Sequence, residues 1–275
     1  MPDQPTDRPL SIDAITADLH TYVFGRKMFV LDTIASTNEF AKSLNPEEGP
    51  HGTVVTAEEQ LSGKGRLGRR WESQRSKNLL FSILLRPDEA ESLKAPLIPF
   101  AAAVAASEAI ELATGLQVEC KWPNDLLIGK KKVCGMLLES SMMGFRIEKI
   151  ALGIGVNVNQ DDFPAALLPH ATSLLIEGGA PVDRSRLLQH MLASLEMQYA
   201  RLLNEPVELM LNAWKKRSAM FGTRITVRKA QGAIEGVAEE LATDGSLLIR
   251  LDDGTLHTVR AGDVSLGYEQ DFLHH

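Results

Sequence analysis

The sequence has 275 residues, of which 44% are hydrophobic and 24% are charged, so the chain can bury a large core. The formal net charge of -7 argues against a general electrostatic affinity for nucleic acid, and the two cysteines are too few for a disulfide framework or a four-ligand zinc site. The N-terminus has no export signal, and no uninterrupted run of about 18 apolar residues predicts a membrane span. We therefore expect a cytoplasmic globular protein without a membrane anchor.

The first part of the chain predicts alternating strands and helices. Ser36 and Glu39 have the spacing of a capping box, which predicts a helix that begins at Thr37. Gly115 follows an uncharged, alanine-rich stretch and predicts the end of a buried helix. The predicted elements are a short amphipathic segment near 12–20, strands at 28–36, 52–60 and 78–87, the helix from Thr37, and a helix at 97–114.

The central part predicts extended segments followed by a second long helix. Residues 117–141 are broken at Trp122-Pro123, because a residue before proline is disfavoured in a helix, and they turn at Gly129. A strand is predicted at 149–159. The second helix begins near Asp183, and Pro206 ends or restarts it.

The pattern changes after about residue 220. Short runs alternate apolar and polar residues between the turn signals Gln231-Gly232, Asp244-Gly245 and Asp253-Gly254. This pattern predicts a small antiparallel barrel of short strands. We expect one domain at residues 1–220 and a second at 221–275.

The segment SGKGRLGRRW, residues 62–71, contains the G-x-G-x-x-G pattern of dinucleotide-binding folds. The third glycine should then open a helix, but no apolar helical pattern follows Gly68. A P-loop is excluded because no hydroxyl residue follows the glycines to bind magnesium. Two interpretations stay open: a flexible basic loop that closes over an anionic ligand, or a solvated surface loop.

Five segments together resemble biotin protein ligases. They are STNE at 36–39, GKGRLGRRW at 63–71, KWPND at 121–125, GKKKVCGMLLE at 129–139 and GIGVNVN at 153–159. The resemblance extends over about residues 30–270. It implies an α+β fold in which a mixed-sheet catalytic domain packed by helices precedes an SH3-like β-barrel domain. It also implies the substrates biotin and ATP with Mg²⁺, biotinyl-5'-AMP as the intermediate, and a lysine of a biotin carboxyl carrier domain as the acceptor.

The resemblance also implies roles for individual residues. Lys132, Arg66 and Arg69 would act at the reacting carboxylate and phosphates, although a lysine run at a turn is commonly a solvated tip. Ser36 would contact biotin unless its hydroxyl only caps the helix, Trp71 would stack near adenine unless it only anchors the loop, and Asn124 with Asp125 would hold nucleotide and magnesium unless they only form a turn. The remaining implied binding residues are Thr37, Asn38, Gln60, Gly63, Lys64 and Lys121, with Gly135 and Gly153 leaving room for ligand and Asn157 near adenine.

The chemistry needs no nucleophile on the protein, and the sequence contains no hydrolase or metalloprotease motif. Two residues depart from the family pattern: Lys64 stands where arginine is usual, and Leu67 replaces another arginine.

The short segment before residue 30 predicts a ligase without a DNA-binding domain, and the resemblance makes a homodimer possible. The alternatives that stay open are a lipoate or octanoate ligase, a non-catalytic biotin or nucleotide sensor, and a nucleic-acid-binding module.

Overall fold

The structure is a computed structural model that describes residues 8–229 and 232–266. Ser36 and Asp183 cap the two helices predicted to follow them, because their side chains accept backbone N–H groups. Gly115, at φ 74°, ends the alanine-rich helix in the left-handed conformation, and these three predictions are confirmed. The helices are α1 (Ile12–Thr16), α2 (Thr37–Ser43), α3 (Glu89–Leu93), α4 (Ile98–Thr114), α5 (Leu174–Gly178), α6 (Arg184–Asn204) and α7 (Val207–Lys215).

A mixed sheet lies at the centre of the fold, as predicted. Its strands are β1 (Met28–Ile34), β2 (Thr53–Gln60), β3 (Leu79–Leu85), β4 (Glu119–Lys121), β5 (Asp125–Ile128), β6 (Lys131–Met143) and β7 (Arg146–Val156). They follow the order β1-β2-β3-β7-β6-β5-β4. The β1–β2 pair is parallel and the other neighbours are antiparallel.

Helices cover both faces of this sheet. The uncharged half of α4 is buried between the sheet, α6 and α7, which explains its alanine-rich composition. A stretch that includes α4, Ala95–Thr114, is long and apolar enough to cross a membrane, but 67% of the tested window is buried inside the fold, as in a core helix. The short helix α2 packs on the opposite face, against β2, β3 and β7.

A second, wholly antiparallel sheet follows. Its strands are β8 (Arg224–Lys229), β9 (Gly232–Leu241), β10 (Leu247–Arg250), β11 (Leu256–Val259) and β12 (Asp263–Leu266), in the order β11-β10-β9-β8-β12. Gly245 and Gly254 have φ of 80° and 83° at the predicted turns. The turn predicted at Gln231-Gly232 falls partly outside the described residues. We call β8–β12 the C-terminal sheet.

Some predicted boundaries are wrong. The predicted strand 28–36 ends at Ile34, because Ser36 is the N-cap residue of α2, which begins at Thr37. β6 continues past the predicted end at 141, and β7 begins before the predicted start at 149, because the two strands form a hairpin around Gly144, which has φ 63°. The predicted amphipathic segment contains only the short α1, and α3 and α5 were not predicted.

The segment 62–71, which we call the basic loop, connects the antiparallel strands β2 and β3. A single 3-10 turn, Arg66–Gly68, lies within it, and Lys64 forms an isolated bridge with Arg70. The third glycine of the G-x-G-x-x-G pattern therefore does not open a helix. The structure excludes a dinucleotide-binding fingerprint at this position, in agreement with the sequence.

Candidate active site

A cavity of about 460 Å³ opens on the α2 face of the mixed sheet, next to the C-terminal sheet. Its volume suits a small-molecule ligand. With the exception of Gly63, every site residue predicted from the sequence lines this cavity: Ser36, Thr37, Asn38, Gln60, Lys64, Arg66, Arg69, Trp71, Lys121, Asn124, Asp125, Lys132, Gly135, Gly153 and Asn157. Their meeting in one cavity is observed, and the role of each one stays a prediction.

A cluster of neutral polar side chains, Thr37, Asn38 and Gln60, forms one end of the cavity, and we call it the polar floor. Gln60 Oε1 accepts a hydrogen bond from the Thr37 backbone N–H at 2.8 Å. Beneath them, Ser82 Oγ lies 2.7 Å from Thr37 Oγ1 and 2.6 Å from Asn38 Oδ1. An uncharged ring with its own donors and acceptors fits such a surface better than an anion does.

The carboxylate of Glu139 contacts the polar floor through Asn38. Asn38 Nδ2 donates to Glu139 Oε2 at 2.8 Å and to the Leu137 carbonyl at 3.2 Å. Lys42 Nζ lies 3.0 Å from Glu139 Oε1. Partial burial raises the pKa of Glu139, but the hydrogen bonds from Asn38 and Lys42 outweigh it and leave the pKa below its ordinary value. The charged Glu139 thereby fixes the orientation of the Asn38 amide.

Glu39 connects α2 to the basic loop. Its backbone amide lies 3.5 Å from Ser36 Oγ, at the limit of hydrogen-bond distance, so the capping interaction is weak. The Ser36 hydroxyl therefore retains capacity for a ligand. The Glu39 carboxylate pairs with Lys64, the residue that stands where arginine is usual.

Two facing glycines provide a platform for Trp71. Gly135 on β6 and Gly155 on β7 are direct neighbours in the sheet. A Cβ atom would lie 2.8 Å from Trp71 Cζ3 if built on Gly135, and 2.6 Å from Trp71 Cε2 if built on Gly155. Side chains at these positions would therefore displace the indole.

The expectation that Gly135 and Gly153 leave room for ligand stays a prediction, and the structure shows which side chains lie next to them. A Cβ atom on Gly153 would lie 2.5 Å from Asn38 Oδ1, and one on Gly135 would also meet the Lys132 side chain at 2.9 Å. Both glycines line the cavity, but the space above them holds site side chains, because the strands pack closely against α2 and the basic loop.

Lys132 is a charged residue of the cavity wall. Its backbone N–H donates to the His170 carbonyl at 2.7 Å, which fixes the start of β6. Its Nζ is 2.7 Å from Asp125 Oδ1, without hydrogen-bond alignment, and 5.4 Å from the Trp71 ring centroid. Lys132 is therefore not a solvated tip: its charge is held inside the cavity, with about a third of the side chain exposed.

The basic loop contacts the C-terminal sheet through its arginines. Arg69 pairs with Asp263, and Arg66 Nη1 lies 3.6 Å from the same carboxylate. Arg66 Nη1 also donates to the Gly262 carbonyl at 3.1 Å and to Asn124 Oδ1 at 3.3 Å. Burial lowers the pKa of Arg66, which marks a partly desolvated cation beside the cavity.

Gly63 lies at the base of the basic loop and is not among the cavity-lining residues, and the approach of its backbone to biotin stays a prediction. Its carbonyl accepts a hydrogen bond from the Trp71 backbone N–H at 3.0 Å, which closes the base of the basic loop. A Cβ atom at this position would lie 3.0 Å from the Trp71 carbonyl oxygen. The glycine therefore permits the close approach of two loop backbones.

Asn157 and Trp71 each have a buried polar side-chain atom without a hydrogen-bond partner. Asn157 Nδ2 donates to the Thr172 carbonyl at 2.9 Å, but Asn157 Oδ1 and Trp71 Nε1 are buried and unpaired. Unpaired buried acceptors are costly, so Asn157 Oδ1 is an acceptor available to a ligand.

Metal-binding potential is limited. Within residues 8–229 and 232–266, no group of three His, Cys, Asp or Glu side chains could hold a metal ion. Asp125, the predicted magnesium residue, is paired with Lys132. A magnesium ion bound mainly through nucleotide phosphates needs only one or two carboxylates, and Asp125 fits that requirement.

Sequence reasoning missed three contributors. Ser82 is fully buried on β3, and only its partners reveal its role. Gly155 could have been found, because the alternation in ALGIGV places it on the same face as Gly153. Asp263 had no usable signal, since it lies almost 200 residues from the arginines that it contacts.

Two family models match the chain. The model of the biotin/lipoate A/B protein ligase family matches residues 30–157, and that of the biotin protein ligase C terminal domain matches residues 220–267. Together they cover the cavity-lining strands and the C-terminal sheet.

Curated relatives and solved structures agree. The bifunctional ligase/repressor BirA of Bacillus spizizenii is 36% identical, with 94% of this chain and 79% of that protein covered. The biotin acetyl-CoA-carboxylase ligase of Paracoccus denitrificans is 34% identical, with 84% and 97% covered. The structure of the Aquifex aeolicus biotin protein ligase in complex with biotin and ATP has a TM-score of 0.77 at 31% identity, with 88% and 98% covered. The chain therefore belongs to the biotin protein ligases, within the biotin/lipoate A/B protein ligase family.

Proposed function

We propose that the chain activates biotin with ATP to form biotinyl-5'-AMP and then transfers biotin to a carrier lysine. One observation carries the proposal: a single cavity joins the uncharged polar floor to three cations, Lys132, Arg66 and Arg69. A carboxylic acid with a neutral polar ring and a nucleotide triphosphate need these two environments side by side.

The polar floor is the proposed site for the biotin ring. Thr37 and Gln60 would face the ureido group, with Ser36 beside them. The 3.5 Å capping contact of Ser36 supports this role, because it leaves the hydroxyl available to the ligand. Asn38 supports the floor through Glu139.

The cationic end is the proposed site of adenylation. A biotin carboxylate oxygen attacks the α-phosphorus of ATP, and pyrophosphate leaves. Lys132 would stabilise the negative charge at the reacting oxygens, and Arg66 and Arg69 would exchange Asp263 for the phosphates. The carrier lysine amine then attacks the acyl carbon, and AMP leaves. No protein nucleophile is required.

The adenine is proposed to lie near Trp71 and Asn157. The indole lies on the Gly135–Gly155 platform, and Asn157 Oδ1 is an unpaired acceptor for an exocyclic amine. Lys121 and Asn124 line the same end of the cavity. Asp125 would hold magnesium together with the nucleotide phosphates, and the ion would neutralise charge on the triphosphate.

We propose a catalytic domain at residues 1–220 and an SH3-like barrel at 221–275, supported by the second family match from residue 220 and by the antiparallel C-terminal sheet. The proposed partner is a biotin carboxyl carrier domain of a biotin-dependent carboxylase, in the cytoplasm, and DNA is not a proposed partner. A homodimer through the mixed sheet stays a prediction, which analytical ultracentrifugation would test.

The competing substrate is octanoate or lipoate. The test is pyrophosphate release from Mg-ATP with either biotin or octanoate, with the acyl-adenylate identified by mass spectrometry. We expect release and biotinyl-AMP with biotin alone. Release with octanoate alone would retain the chemistry and contradict the substrate, and binding of biotin without release would indicate a sensor.

A further inference from the structure

Ser82 on β3 lies beneath the polar floor and has no exposed surface. Its hydroxyl is within hydrogen-bond distance of two acceptor-capable atoms, Thr37 Oγ1 at 2.7 Å and Asn38 Oδ1 at 2.6 Å. It does not line the cavity, so any effect on a ligand passes through these two residues. A serine has one hydroxyl proton, and it can donate to only one of them.

The orientation of the Asn38 amide determines which neighbour receives the Ser82 hydroxyl proton. Asn38 Nδ2 is fixed as a donor by Glu139 and the Leu137 carbonyl, so Asn38 Oδ1 must face Ser82. A carbonyl oxygen cannot donate, and the 2.6 Å contact therefore requires the Ser82 proton. Ser82 Oγ then accepts a proton from its other neighbour.

The Thr37 hydroxyl is that neighbour. Its distance to Ser82 Oγ, 2.7 Å, is the ordinary value for a hydroxyl pair, whereas its distance to Gln60 Oε1, 3.1 Å, lies beyond the usual range. Gln60 Oε1 already accepts a hydrogen bond from the Thr37 backbone N–H at 2.8 Å and therefore does not require the hydroxyl proton. The protons therefore run from Thr37 to Ser82 and from Ser82 to Asn38.

We propose that Ser82 is a positioning residue that sets the polarity of the substrate subsite. With its proton committed to Ser82, Thr37 Oγ1 presents only lone pairs to the cavity. The site would therefore select a ring with an N–H donor at this position, such as a cyclic urea, and reject a plain acyl chain that leaves the acceptor unpaired. The inference rests on the proposed biotin-activating function and assigns a determinant of its specificity.

The test compares wild-type protein with Ser82→Ala by steady-state pyrophosphate release. We expect the KM for biotin to rise about tenfold, since one hydrogen bond loses its orientation, with kcat and the KM for ATP changed less than about twofold. Ser107→Ala is the matched control, because Ser107 is equally buried and donates to the Ala103 carbonyl in α4, away from the cavity. Unchanged biotin KM in Ser82→Ala would overturn the proposal.

A double-mutant cycle separates positioning from general packing. Because Ser82 is proposed to act through the Thr37 hydroxyl, Ser82→Ala should raise the biotin KM much less in a Thr37→Val background, about twofold at most. Equal effects in both backgrounds would contradict the proposal. If Ser82→Ala does not fold, Ser82→Cys, which keeps the volume but donates weakly, replaces it in the same cycle.

The wild-type reaction is measured first. Pyrophosphate release without dependence on biotin would overturn the proposed function itself. Biotin-dependent release with an unaltered Ser82→Ala variant would retain that function and reject only the role of Ser82.

Discussion

The two ends of the cavity are built in different ways. The polar floor is buried, and its short hydrogen bonds join α2 to β2 and β3. The basic loop is held to the C-terminal sheet by ion pairs on longer side chains, and the Arg69 side chain that contacts Asp263 is 61% exposed. Buried hydrogen bonds hold the polar floor in place, whereas the basic loop is held by ion pairs that a ligand can replace.

This difference separates recognition from chemistry. Buried neutral hydrogen bonds are costly to leave unmade, so the polar floor discriminates between ligands. Exposed ion pairs contribute little to stability, so Arg69 can leave Asp263 for a phosphate at small cost. Lys132 is proposed to act directly on the reacting atoms.

Lys132→Ala should produce the largest effect. We expect adenylation to fall by about two to three orders of magnitude, because a cation aimed at developing charge is lost. The melting temperature should change little, since about a third of the Lys132 side chain is exposed. Lys131→Ala, on the same strand but outside the cavity lining, is the control. Unchanged pyrophosphate release in Lys132→Ala would remove this residue from the mechanism.

Gly155→Ala tests the platform beneath Trp71. The new methyl group would lie 2.6 Å from the indole and displace it, so we expect the KM for ATP to rise about tenfold while the KM for biotin stays within twofold. Gly178→Ala, where a Cβ atom meets only Leu116 at 3.6 Å, is the matched control. A larger change for biotin than for ATP would contradict the proposed location of adenine.

Arg66→Gly tests whether the basic loop retains the intermediate. We expect biotinyl-AMP to leave the protein several times faster, since the loop would hold the anionic intermediate less tightly. The readout is biotin attached to bystander proteins, compared with Arg146→Gly, which removes a remote arginine on the β6–β7 hairpin. Labelling that stays confined to the carrier would show that Arg66 does not retain the intermediate.

Glu139→Gln should have the smallest effect, on stability. The folded-state pKa of Glu139 is depressed, so its contribution is present above its unfolded pKa and is lost as pH falls through the folded value. We expect the variant to be less stable by under about 1 kcal/mol at pH 7, with the difference shrinking below about pH 4. Urea unfolding at both pH values measures this. A difference independent of pH would show that charge is not involved.

Local signals in the sequence predicted much of the fold. The caps at Ser36 and Asp183 and the glycine at 115 act within a few residues, so helix starts and ends were recoverable. The β6–β7 hairpin was placed too short, because its tip carries the exposed apolar residues Met142, Met143 and Phe145, which break the alternation of buried apolar and exposed polar residues. Local patterns do not fix where such a hairpin ends.

The family resemblance predicted the residues that line the cavity, but it did not predict the residues that hold them in place. Motif residues were expected at the cavity, and all but Gly63 line it. Ser82 and Asp263 act through contacts between distant strands, which neither spacing nor composition reveals. Gly135 and Gly153 were expected to leave room for ligand, which stays a prediction, and tertiary packing places Trp71 next to Gly135 and Asn38 next to Gly153.

The most direct test of the account is the exchange of radiolabelled pyrophosphate into ATP by the purified protein. A mixed anhydride formed without a protein nucleophile predicts exchange that requires biotin, fails with octanoate, and is nearly abolished in Lys132→Ala. Exchange without biotin, or exchange that survives in Lys132→Ala, would contradict it.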